Sequence, residues 1–228
     1  LVPYNVYGGQ QDNSAIAIAS RTNDAGIDWK DWYSVAGCES AFLAFDPDNP
    51  VEVYGGCYQG IIDRWMKNTG DSKIINQYPE QGLSKAPKDA KYRFNWNAPI
   101  ISDPFNRKTI YHAGNRVFKT TDGGNNWTII SPDLTKNETD KHGPGGGPYT
   151  NEAAGGENYN TLMSLVASPL EQGVLYAGSD DGLVHITKNG GQTWENITPK
   201  GIGDFIINSI EISPHDKATA YITAMGYK

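Results

Sequence analysis

Positive charge is in deficit: 19 lysines and arginines stand against 26 acidic residues, a net charge of −7. No basic stripe is therefore available to neutralise phosphates, and nucleic acid is excluded as a partner. Long apolar runs are also missing. None approaches the roughly 20 residues that a membrane-spanning helix needs, and no basic-then-apolar leader opens the chain. Leu1-Val2-Pro3-Tyr4 reads as mid-domain sequence, so an export signal is expected upstream of it. Helix-forming stretches are scarce. His112, His142, His185 and His215 lack metal-ligand spacing, and no metal site is expected from them. Two cysteines, Cys38 and Cys57, are too few for a disulfide framework.

What is abundant is turn and aromatic residues: 26 Gly, 13 Pro, 13 Tyr and 6 Trp in 228 residues, a composition suited to many short strands. These residues repeat. Asp46-Pro47, Asp103-Pro104, Ser168-Pro169 and Ser213-Pro214 each follow an apolar run, and each precedes a tyrosine (Tyr54, Tyr111, Tyr176, Tyr221) at one constant spacing. A proline-fixed turn joining two strands explains the constancy, because proline sets φ and the Asp or Ser oxygen accepts local amide bonds. Third strands are expected at Ile61–Trp65, Arg116–Thr120 and Leu183–Thr187, and fourth strands at Lys73–Asn76, Trp127–Ser131 and Trp194–Thr198. The fold class is thus all-β: a partial β-propeller of four-stranded antiparallel blades, spanning 1–37 (partial), 38–80, 94–135, 160–200 and 206–228 (partial) of one domain. Insertions fall at Gln77–Trp96 and Pro132–Asn160. Incomplete blades at both ends would leave open edges, so further blades are expected from sequence outside this segment. A hairpin centred on Asp48 sets Cys38 nearly opposite Cys57, either as a disulfide or as two buried free thiols.

Two of the third-to-fourth strand turns read Thr120-Thr121-Asp122-Gly123-Gly124-Asn125-Asn126-Trp127 and Thr187-Lys188-Asn189-Gly190-Gly191-Gln192-Thr193-Trp194. They resemble the Asp box of bacterial neuraminidase repeats, found in sialidases, xyloglucan-active endoglucanases, sortilins and a photosystem assembly factor. The second copy has Asn189 where that pattern has Asp. The resemblance implies structural duty for Thr120, Asp122, Gly124, Trp127, Thr187, Asn189, Gly191 and Trp194, on the face away from any active site. Longer stretches, among them Tyr7-Gly8-Gly9-Gln10-Gln11-Asp12-Asn13 and Arg93-Phe94-Asn95-Trp96-Asn97-Ala98-Pro99, resemble the large bacterial glycosyl-hydrolase-like or sortilin-like repeat proteins. That likeness implies a secreted, periplasmic or cell-surface location and says more of fold than of chemistry.

In such an architecture the second-to-third strand links and the blade-to-blade links share one face. Gln11, Tyr92, Arg93, Trp96, Tyr159 and Asn160 would gather there, aromatic rings beside amides, suited to a carbohydrate or protein partner. A glycoside hydrolase would need two carboxyl groups about 5–9.5 Å apart. Asp12, Glu157 and Asp180, with its neighbour Asp181, are the candidates, and solvated-turn duty is the plainer reading of each. Sialidase activity is argued against: the arginines Arg21, Arg64, Arg93, Arg107 and Arg116 come without the Arg-Ile-Pro segment of that family. No cofactor is expected. Calcium at Asp12 or Asp180-Asp181 would lack a loop with enough oxygen ligands. The expected function is a binding module or scaffold of an exported protein, with a glycoside hydrolase and an accessory subunit of a larger membrane complex as alternatives.

Overall fold

The structure, a computed structural model, describes residues 3–40, 42–80, 82, 85–143 and 158–226. Five antiparallel sheets follow one another along the chain, each pairing its strands in sequence order. Sheet A holds β1 (Asn5–Gly8), β2 (Ile16–Ala19) and β3 (Trp32–Ser34). Sheet B holds β4 (Leu43–Phe45), β5 (Glu52–Gly56), β6 (Ile62–Met66) and β7 (Ser72–Ile74). Sheet C holds β8 (Ile100–Ser102), β9 (Ile110–Ala113), β10 (Val117–Thr120) and β11 (Thr128–Ile129). Sheet D holds β12 (Leu162–Ala167), β13 (Leu175–Ser179), β14 (Val184–Thr187) and β15 (Glu195–Asn196), and sheet E pairs β16 (Ile206–Ile212) with β17 (Ala220–Met225). The first strands neighbour one another, β4 against β8, β8 against β12 and β12 against β16, so sheets B to E fan out from a common line. Among the described residues no helix is long and apolar enough to cross a membrane.

The constant proline-to-tyrosine spacing is one hairpin register used four times. Tyr54 pairs with Ala44, Tyr111 with Ile101, Tyr176 with Val166 and Tyr221 with Glu211. In each case the partner lies two residues before the Asp or Ser that opens the turn. Those side chains close the turn by accepting from backbone amides: Asp103 from Phe105 and Asn106, Ser168 from Leu170 and Glu171, Ser213 from His215 and Asp216. The Tyr111 hydroxyl donates to the second Asp103 oxygen at 2.8 Å, a bond a serine could not offer in that place.

The hairpin of sheet B is centred one residue later than Asp48, since Leu43 pairs with Gly55. The cysteines therefore lie beyond the ladder, Cys38 where the chain passes from β3 into β4 and Cys57 just after β5. They are joined there as a disulfide with Cα atoms 4.7 Å apart. Of the two alternatives open in the sequence, the bridge is the one formed. Beside it the Gly37 amide donates to the half-buried carboxylate of Asp63, whose other oxygen accepts from Ser72.

The two Thr-x-Asp/Asn-Gly-Gly turns fold alike. Asp122 Oδ1 accepts from the Asn126 amide and Asn189 Oδ1 from the Thr193 amide, so losing the charge at Asn189 leaves the turn intact. Each tryptophan then leaves its own sheet. Trp127 Nε1 donates to the Ile75 carbonyl of sheet B, and Trp194 Nε1 to the Ile130 carbonyl of sheet C, both at 2.7 Å. Gly124 makes room for this seam: a Cβ there would lie 2.5 Å from Ile75 Cδ1, and its φ of +80° suits glycine besides. Side chains close the apolar clusters between sheets, with Trp127 packed against Tyr54, Ile62 and Ile75, and Trp194 against the cluster of Tyr111, Val117 and Leu134.

His112 is completely buried on β9, stacked on Phe94 with ring centroids 5.1 Å apart, its Nδ1 bonded to the Gln77 amide. Burial pushes its pKa down to about 3. The native state therefore refuses a proton that the unfolded chain accepts near pH 6.5. Stability should fall as pH drops from about 6.5 toward 3, by up to ~1.4 kcal/mol per pH unit from this residue. Chemical denaturation across that range should show a shallower acid slope for His112→Gln; an unchanged slope would refute the assignment. A second expectation concerns the seam. Trp127→Phe keeps most of the apolar packing but orphans the Ile75 carbonyl, so unfolding free energy should drop by about 2 kcal/mol. A loss within 0.5 kcal/mol, the roughly neutral range of surface substitutions, would show that the indole bond is incidental.

Candidate functional site

In an antiparallel meander the Pro turns and the Gly-Gly turns lie at one end of each sheet, and the remaining links at the other. Every described non-glycine residue with positive φ belongs to this second end: Asp12 between β1 and β2, Gln59 between β5 and β6, and Asn137 and Asn160 between β11 and β12. Backbone strain held in place by its surroundings points to function at that face. The long links from β7 to β8 and from β11 to β12 also lie there.

Gln59 is buried with φ 53° and ψ 41°. It lines a pocket with Asn76, Tyr78, Glu80, Lys85, Tyr92 and Asn158, of about 30 Å³, room for roughly two waters or one hydroxymethyl group. Gly60 permits the approach of its floor, because a Cβ there would meet the Phe94 ring at 2.3 Å. Asn158 is buried and donates through Nδ2 to the Phe94 carbonyl at 2.9 Å, while its Oδ1 has no partner among the described residues. Glu80 pairs with Lys85 and accepts from the Lys91 amide. Lys91 Nζ lies 4.1 Å from the centre of the half-exposed Tyr78 ring, and Tyr92 meets Phe118 edge-on at 4.9 Å. The wall thus offers four carboxamides, those of Gln59, Asn76, Gln77 and Asn158, one internally neutralised ion pair and two tyrosines. That set suits a neutral ligand rich in hydroxyl groups. Its single carboxylate is tied up by Lys85, which leaves no acid–base pair among these residues.

The sequence-nominated residues separate into three groups. Tyr92 lines the pocket, and Trp96 packs on Tyr58 at 5.2 Å. Gln11 and Asp12 are exposed on the β1–β2 link. Arg93, Tyr159 and Asn160 are buried in a polar knot between sheets C and D instead of facing a ligand. Arg93 bonds Asp133 at 2.7 Å and the Asn160 carbonyl at 3.2 Å. Burial alone would raise the Asp133 carboxyl, but bonds from Thr135 and Asn115 and the Arg93 charge outweigh it and hold the carboxyl low. Asn160 donates to Asp181 and accepts from the Glu138 amide.

Asp180 and Asp181 are 1% and 0% exposed, which corrects the expectation of a solvated turn. Both Asp180 oxygens accept from Thr161, its amide and its hydroxyl. Asp181 accepts from Ser179, Asn160 and the Lys136 amide. The turn could be read from Asp-Asp-Gly, but not that the neighbouring link folds down over it. Glu157 lies outside the described residues. Among the described residues no three His, Cys, Asp or Glu side chains converge as metal ligands. The sequence missed Asn76, Tyr78, Glu80, Lys85 and Asn158 as a group. The only signal was the insertion that carries most of them.

No family model and no curated protein matches this sequence. Solved structures do match in shape. The GH74 xyloglucanase of Xanthomonas campestris superposes with a TM-score of 0.57 at 13% identity, over 90% of this chain and 30% of that one. The Swd1 β-propeller domain of Myceliophteria thermophila superposes with a TM-score of 0.54 at 12% identity, over 97% of this chain and 59% of that one. The chain thus spans less than two thirds of either structure. Together with the fan of four-stranded antiparallel sheets, these likenesses show a partial β-propeller with sheets A to E as its blades.

Proposed function

We propose that this chain is part of an exported Asp-box repeat protein whose linked face binds a glycan without cleaving it, the pocket beside Gln59 receiving one hydroxyl-bearing arm of the sugar. The observation that carries the reading is the meeting in one cavity of a strained, buried Gln59 and an Asn158 Oδ1 without a partner among the described residues. Strain is retained where it serves a ligand, and a buried acceptor without a partner costs free energy until something donates to it. The exposed ring of Tyr78 offers a sugar face a stacking surface. The Cys38–Cys57 bridge supports an oxidising location outside the cytosol. Calcium and other cofactors have no part in this reading.

On a glycan array the protein should bind a defined set of neutral oligosaccharides. Tyr78→Ala should weaken the best of them about tenfold. Gln59→Gly keeps the left-handed backbone without strain, so stability should hold within about 1 kcal/mol while binding falls. Binding untouched by both changes would move the site elsewhere. A wild-type protein that captures neither glycans nor proteins would overturn the reading.

The glycoside hydrolase reading is supported by the xyloglucanase likeness in fold. Against it, Asp180 is locked by Thr161, which leaves Asp12 as the accessible described candidate. If the protein cleaves polysaccharide, Asp12→Asn should lower turnover on xyloglucan at least about a hundredfold with an unchanged melting temperature. Equal turnover, or none in the wild type, removes this version.

A further inference from the structure

The left-handed Gln59 stands two residues after Cys57, one end of the disulfide. Cys57 donates its amide to the Ile61 carbonyl at 2.8 Å, and Ile61 donates to the Tyr58 carbonyl at 3.2 Å. Tyr58, Gln59 and Gly60 thus form a small closed turn with Cys57 at its root. This turn builds much of the pocket. Gln59 lines the wall, Gly60 lies against the Phe94 ring, and the wall residue Asn76 accepts from the Ile62 amide at 3.0 Å. The Gln59 side chain is also packed against the link from β7 to β8, since a Cβ on Gly82 would lie 2.5 Å from Gln59 Oε1.

At the other end of the bridge, the segment 36–38 lies directly on the end of β5. A Cβ on Gly55 would meet the Ala36 carbonyl oxygen at 2.2 Å, and one on Gly37 the Gly56 oxygen at 2.8 Å. The Cys38 amide donates to that Gly56 carbonyl at 3.1 Å. The disulfide extends this attachment by one residue, to the root of the Gln59 turn. The junction of blades A and B has further ties: the Gly37 amide on Asp63, the Tyr33 ring on Trp65, and Val35 packed with Val53 in one apolar cluster. Opening the bridge would therefore leave the junction closed and free the turn. Both cysteines are partly exposed, which admits a soluble reductant.

We propose that the Cys38–Cys57 bridge is a redox latch on the Gln59 pocket. Closed, it holds the turn in the form that builds the wall. A dithiol opens it: the Cys38–Cys57 S–S bond breaks, one S–S bond forms within the dithiol, and two electrons and two protons pass to the cysteine sulfurs. Gln59 then relaxes out of the left-handed region, its carboxamide leaves the wall, and ligand affinity falls while the blades stay folded. Strained backbone persists only where its surroundings over-determine it, and a cross-link acts by removing the alternatives open to the unlinked chain. The latch rests on the glycan-binding reading for its ligand, but the release of the turn does not.

The test compares the 228-residue chain oxidised, reduced by dithiothreitol, and carrying Cys38→Ser with Cys57→Ser, with amide hydrogen exchange read by NMR. Reduction should speed exchange at the Cys57 and Ile61 amides at least about tenfold. The bonded amides of Val35, Ala113 and Leu162, in other parts of the fold, should keep their oxidised rates. The best neutral oligosaccharide from the array should bind the reduced protein at least about fivefold more weakly, as when no more than about a fifth of the molecules hold the competent turn. Reoxidation should restore both, and the double variant should match the reduced protein. Unchanged exchange at Cys57 and Ile61 would overturn the proposal. So would equal acceleration at Val35, Ala113 and Leu162, because the bridge would then hold the whole fold, and so would an open turn with unchanged affinity. If the turn opens on reduction while the oxidised protein binds no glycan, the latch stands and the glycan reading fails.

Discussion

The indole N–H that crosses from one blade to the backbone of the one before it is the constraint on which the rest of this architecture depends. A four-stranded sheet with strands of two to six residues cannot bury both faces alone, and its stability comes from stacking on its neighbours. Apolar side chains supply most of that stacking energy but little directionality. The Trp127 and Trp194 bonds supply direction, because a carbonyl just past the fourth strand can be met at 2.7 Å from only one rotation between blades. The glycines at 124 and 191 then set how closely the turn approaches.

Where this seam is missing, other chemistry stands in for it. Blade B has Met66-Lys67-Asn68-Thr69-Gly70 at its third-to-fourth strand turn and no tryptophan after it. Its junction with blade A is instead held by the Cys38–Cys57 bridge, the Gly37–Asp63 bond and the stacking of Tyr33 on Trp65 at 5.9 Å. Between blades C and D the opposite face is held by the Arg93, Asp133, Asn160 and Asp181 network. Such a network is costly unless complete, and here each carboxylate named accepts at least two bonds.

The parts of this fold that were legible in the sequence are those set by local turn chemistry. Asp-Pro or Ser-Pro ahead of a tyrosine names a hairpin register, and Thr-x-Asp/Asn-Gly-Gly names a turn, since both depend on residues within ten positions of each other. The destination of the tryptophan was not legible, because Ile75 and Trp127 are 52 residues apart. The same limit explains Asp180. Its carboxylate looks like a solvated turn residue until Thr161, 19 residues earlier at the end of the link into β12, donates to it twice. The pocket lay in the sequence only as the Gln77–Trp96 insertion, a stretch without period 2 or 3.6, so no pattern indicated which of its side chains would meet Gln59.

The two ends of the blades carry different kinds of backbone departure, and this separates stability from recognition. At the end with the Pro and Gly-Gly turns, positive φ among the described residues falls only on glycines, where it costs little. At the linked end it falls on glycines such as Gly60 and Gly182 and, besides these, on Asp12, Gln59, Asn137 and Asn160, where each costs of order 1 kcal/mol or more. Asn160 offsets that cost within the fold, through its bonds to Asp181 and Glu138. Gln59 has a different surrounding: its side chain lines a cavity beside an Asn158 oxygen that has no partner among the described residues. Strain in the polar knot is thus offset by bonds within the fold, whereas strain at Gln59 is placed on the wall of a cavity.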